Sequence, residues 1–179
     1  MKAVWIVDYK LDTYNSLSFR FDDYTLPKRD GTRQLASWQP QQVWYHPAHF
    51  REDRGIADFP RCSGEFVCNT EVRDLVDELL ADYVEFLPLT FPDSADTEYY
   101  AINVLSILDC LDNEQSEFSY YGPLKKINKY AFKTDCVSGV PMFRLPIQRS
   151  VNLFVDDEFK QLVEDNNLTG LEFRKVWEG

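Results

Sequence analysis

The chain has 179 residues, of which 44% are hydrophobic and 15% aromatic; that is enough apolar material for a packed core and too much for a disordered segment. No apolar run approaches the roughly 18 residues needed to cross a bilayer as a helix. A net charge of −11 disfavours nucleic acid and anionic membrane, both of which reward Lys and Arg, and suits a basic partner, although acidity also serves solubility alone.

The opening Met1-Lys2-Ala3-Val4-Trp5-Ile6-Val7 is halted by Asp8. It is shorter than the secretory core of about 7–15 apolar residues and lacks a small-residue cleavage site, so it reads as a first β-strand of a cytoplasmic protein. Asp22-Asp23 reads as a turn. Residues Gln34 to Gln42 and Pro47 to Gly64 read as long surface loops. Trp38, Trp44 and Tyr45 fall in this polar neighbourhood, either as interface anchors or as covers over a sheet.

The two histidines, His46 and His49, are spaced HxxH, and Cys62 or Cys68 would complete a tetrahedral metal set. That spacing matches no common zinc pattern, and Pro47 opposes a helix presenting both rings. Loop-edge histidines beside aromatics are the plainer reading. The four cysteines, Cys62, Cys68, Cys110 and Cys136, form no CxxC pair, and reduced thiols are the default.

An internal echo begins near Phe66. Phe66-Val67-Cys68, Glu71-Val72-Arg73-Asp74-Leu75-Val76-Asp77 and Val84-Glu85-Phe86 each have a counterpart 87 positions later, in Leu153-Phe154-Val155, Glu158-Phe159-Lys160-Gln161-Leu162-Val163-Glu164 and Leu171-Glu172-Phe173. In each copy a short apolar run meets a capping residue, Asn69 or Thr70 in the first and Asp156 or Asp157 in the second. Glu71 and Glu158 then sit at the positive end of a helix dipole. Val72, Leu75, Val76, Leu79 and Leu80 follow the spacing of one buried helical face, as do Phe159, Leu162 and Val163 before Asn166, Asn167 and Gly170 end the second helix. A strand closes each copy, Tyr83 to Leu89 and Leu171 to Val176. The pattern predicts two similar strand–helix–strand modules.

Between the copies, Pro92 to Glu98 reads as a loop. Tyr99 to Leu108 reads as a central strand, with Tyr100, Ile102 and Val104 alternating against Ala101, Asn103 and Leu105. The carboxylates Asp109, Asp112, Glu114 and Glu117 follow; they are read as a solvated acidic loop rather than as an acid–base pair. Cys110 reads as a small core residue, with no Lys, Arg or His near it in sequence. Tyr130 to Lys133 and Met142 to Leu145 read as short strands. There is no Walker A motif, no GxGxxG opening a helix and no G-x-S-x-G elbow, and 7 glycines leave little for a phosphate cradle. The fold class is α+β, a mostly antiparallel β framework with two principal helices, in a single domain spanning residues 1–179.

Tyr99-Tyr100-Ala101-Ile102-Asn103-Val104, Asp109-Cys110-Leu111-Asp112, Ser116 and Met142-Phe143-Arg144-Leu145 together resemble part of a bacterial polymorphic-toxin immunity family, long catalogued as a domain of unknown function. The most specific portion is Leu153 to Phe159 followed by Leu168-Thr169-Gly170-Leu171-Glu172-Phe173. The resemblance covers residues 64–179, and residues 1–63 match it loosely. It carries no catalytic residue, cofactor or metal ligand. It implies core roles for Phe143, Phe154, Leu171 and Phe173, a turn at Gly170, and a cognate toxin encoded nearby that the protein binds and neutralises. Asp109, Asp112, Glu114 and Glu117 are the toxin contacts expected from exposure and charge. Two other readings stand beside this one: a metal-dependent hydrolase using His46 and His49, and a non-enzymatic adaptor of a secretion or phage-like gene cluster.

Overall fold

Residues 2–11, 13–19, 25–47, 53–92, 97–122 and 124–179 are described by a computed structural model. Its strands are β1 (Ala3–Tyr9), β2 (Ser16–Phe19), β3 (Gln41–His46), β4 (Val67–Asn69), β5 (Val84–Thr90), β6 (Thr97–Val104), β7 (Glu117–Tyr121), β8 (Leu124–Lys129), β9 (Met142–Phe143), β10 (Phe154–Val155) and β11 (Leu171–Glu178). The helices are α1 (Thr70–Leu80), the single turn α2 (Thr134–Val137) and α3 (Asp157–Asp165). The fold is α+β. Apart from the parallel pair β3–β5, the named strands pair antiparallel.

The two echoed segments fold alike. Asn69 and Asp156 are the N-caps, their side chains accepting from the Val72 N–H (2.8 Å) and the Phe159 N–H (3.0 Å). Each helix leads from a short strand to a longer one, and a third strand lies antiparallel between the two: β6 between β4 and β5, and β1 between β10 and β11. Each module is therefore a split β-α-β unit. The inserted strand follows the first module in sequence and precedes the second. The first unit sits in a five-stranded sheet, β2-β3-β5-β6-β4; the second sits in a four-stranded sheet, β11-β1-β10-β9.

The near-continuous apolar run of β1 is explained by burial on both faces. Val4 and Ile6 enter a core with Phe132, Phe143 and Phe154, while Trp5, Val7 and Tyr9 pack toward the helices. Strand β6 divides as its alternation predicts: Tyr100, Ile102 and Val104 face the helical core, and Ala101 packs with Leu17, Val43 and Leu89 on the other side. Val72 and Val76 of α1 and Phe159 and Val163 of α3 share one core, in which Phe59 stacks on Phe66 (5.4 Å) and meets Phe159 edge-on (6.3 Å).

Four local expectations are corrected. Residues Pro47 to Gly64 are not all surface loop, since Ala57, Phe59, Pro60 and Cys62 are buried. Trp44 and Tyr45 belong to β3. The strand expected at Tyr130 to Lys133 ends at Lys129 instead, and only Phe132 forms an isolated bridge, to Leu111. The loop expected from Pro92 to Glu98 gives way to β6 at Thr97. Asp22-Asp23 lies outside the described residues.

Candidate functional site

The loop after β6 carries the four carboxylates singled out by charge. Asp109 and Glu114 are exposed and have no ion-pair partner among the described residues. Asp112 is committed to its own turn: its Oδ1 accepts from the Glu114 N–H (2.9 Å) and the Gln115 N–H (3.1 Å), and its Oδ2 accepts from Gln115 Nε2 (2.9 Å). Glu117 opens β7 opposite Lys129, 3.5 Å away. The hairpin partner β8 adds Lys125 and Lys126, so the acidic loop adjoins basic charge. The structure leaves two of the four carboxylates unengaged.

Groups suited to covalent or metal chemistry are poorly placed among the described residues. Burial pushes the Cys62 thiol up to about 12. Burial, with the Cys136 thiol beside it, does the same to Cys110. Cys68 is raised further still, again by burial. Thiols in this state are poor nucleophiles at neutral pH. His46 is exposed on β3, and His49 lies outside the described residues. No group of three or more His, Cys, Asp or Glu among the described residues is arranged to hold a metal ion. The buried carboxylates are structural. Arg29 pairs with Glu65, and Glu85 accepts from the Gln34 N–H (2.6 Å) and Asn103 Nδ2 (3.2 Å). Buried Arg144 donates to the Arg149 and Asn152 carbonyls. Burial, aided by nearby Arg29, lowers its pKa to about 10.

The aromatics of the N-terminal third are partly engaged with the sheet, although Tyr45 stays 52% exposed. Trp38 donates through Nε1 to the Pro88 carbonyl (3.0 Å), and Tyr45 stacks on Phe91 at 4.9 Å.

The Thr169-Gly170 turn is held by Asp58, which sequence reading left unmarked in a loop. Asp58 Oδ2 accepts from the Thr169 N–H (2.7 Å) and hydroxyl (2.6 Å), and Thr169 Oγ1 accepts from the Asp58 N–H (3.0 Å). Its Oδ1 accepts from Asn69 Nδ2 (3.1 Å), so one carboxylate joins the cap of α1 to the turn after α3.

A molecule of two capped split units, with buried thiols and ion-paired buried carboxylates, offers a scaffold with surfaces. Its sequence matches the family model of an immunity protein across residues 9–178. The chain belongs to the Imm11 immunity protein family. The match takes in the N-terminal third, where the resemblance read from sequence is loose. No curated protein matches the chain.

Proposed function

We propose that the protein acts in the cytoplasm by binding a cognate toxin and neutralising it, as a single non-catalytic unit. Family membership carries this reading. The net charge of −11 supports a basic partner, since complementary fields raise encounter rates and suppress wrong pairings. No helix among the described residues is long and apolar enough to cross a membrane, and the reading requires none. Of the four loop carboxylates, Asp112 is taken up by its own turn and Glu117 by Lys129, so only Asp109 and Glu114 remain exposed and unengaged, and the loop after β6 is a secondary surface in this reading.

The reading predicts that the product of the adjacent gene elutes with this protein as a stable complex in size-exclusion chromatography. Raising the salt should slow association more than dissociation. Separate elution of the two proteins at micromolar concentration would contradict it.

A further inference from the structure

The apolar face of α1 is wider than the core beneath it uses. Leu75 keeps helical spacing with buried Val72 and with Leu79 yet remains 41% exposed, and Leu79 is itself only partly buried. On α3, Leu162 is likewise partly exposed next to buried Phe159 and Val163. These leucines line an open groove of about 440 Å³ between the two helices, with Tyr83 and Pro141. The Tyr83 hydroxyl donates to the Gly139 carbonyl (2.9 Å) and fixes one wall.

The rim is acidic. Glu78 and Glu158 line the groove, and among the described residues no Lys or Arg does. Asp165 follows Glu158 by two turns of α3, and Asp82 lies just past the end of α1; both are exposed. The cations of these helices are held elsewhere: Arg73 lies over Tyr100 (5.0 Å) and pairs with Asp74, and Lys160 lies over Trp5 (4.9 Å) and pairs with Glu164. A smaller depression of about 180 Å³ shares Gly139 and Glu158 with the groove and extends it toward Val137 and Phe143. Lys2, at that end, donates to Ser138 Oγ (2.8 Å).

We infer that the groove between α1 and α3 is the toxin-docking surface, and that it takes a basic, amphipathic segment of the cognate toxin. Apolar side chains of that segment rest on Leu75, Leu79 and Leu162, and its Lys or Arg residues meet Glu78 and Glu158. The inference rests on the toxin-binding reading above. A second copy of this chain is a poor occupant, because its groove would bring carboxylates against carboxylates. An acidic rim repels nucleic acid for the same reason.

The test titrates the purified product of the adjacent gene into wild-type protein, Leu75→Asp, the double variant Glu78→Lys with Glu158→Gln, and the comparison variant Asp109→Lys with Glu114→Lys. Circular dichroism and thermal midpoints check folding; the double variant alters only exposed side chains and decides the matter should Leu75→Asp misfold. The groove variants should bind on the order of 100-fold more weakly, as expected for a central apolar anchor and its charged rim, and the double variant should also flatten the salt dependence. The comparison variant should stay within a few-fold of wild type. Groove variants that bind like a binding-competent wild type would overturn the groove and leave toxin binding standing. Selective loss in the comparison variant would move the interface to the loop after β6. A wild-type chain that binds nothing would overturn both readings.

Discussion

Gly170 has no room for a side chain. A Cβ there would stand 2.3 Å from the Phe59 carbonyl oxygen and 2.8 Å from Ala57 Cβ, on a backbone at φ +104°. Gly170→Ala should therefore cost about 3 kcal/mol in chemical denaturation, from backbone strain and overpacking together. Asp58→Ala should cost about 2 kcal/mol by leaving the Thr169 N–H and hydroxyl without their acceptor. A loss below a few tenths of a kcal/mol for either variant would show that the turn is not anchored as described. The turn at Gly170 was legible from sequence, because glycine after a helix is a local signal. Asp58 was not, because its partner Thr169 is 111 residues away and nothing in its own neighbourhood marks it.

At the scale of elements, α3 is fastened to β1 through Asp157. Its carboxylate accepts from the Ala3 N–H (2.8 Å) and from Trp5 Nε1 (2.8 Å). Partial burial opposes ionisation there, but these bonds, with Lys175 and Lys160 nearby, outweigh it and hold the carboxyl below the usual range. A depressed folded pKa gives stability that is present above the unfolded value of about 3.9 and is lost as pH falls through the folded value. Asp157→Asn should be less stable than wild type at neutral pH by about 1 kcal/mol, kept small by the exposure of the site. That gap should close as the pH enters the acid range; a gap that is constant with pH would rule out the charged contact. The helices, their caps and the strands beside them were legible because spacing and capping are properties of neighbours in sequence. The insertion of β6 into one unit and β1 into the other was not, since pairing between distant strands leaves no local trace. For the same reason Tyr130 and Phe132 read as a strand: they are apolar to fill the core with Phe143 and Phe154, not to continue a ladder.

Across the whole molecule, the N-terminal third supplies essential parts of the two larger sheets and of the core that α1 and α3 share. Strand β1 is the middle of the second unit, and Phe59 is a fully buried member of the shared core. The family match begins at Tyr9, the last residue of β1, and takes in Phe59, although the most specific motifs lie near the C-terminus. Acidity was legible in the sequence as a total charge and as the carboxylates of the loop after β6. The loop chosen from sequence adjoins lysines of β8, whereas the groove between α1 and α3 became visible only when Leu75, which helical spacing assigns to the core, was found at the surface. The central claim is protection of a cell by binding, and survival measures it most directly. The adjacent gene would be induced in a sensitive host with and without this protein. The account predicts death without it and growth with it, dependent on the groove carboxylates. Toxicity that this protein does not relieve would contradict the account.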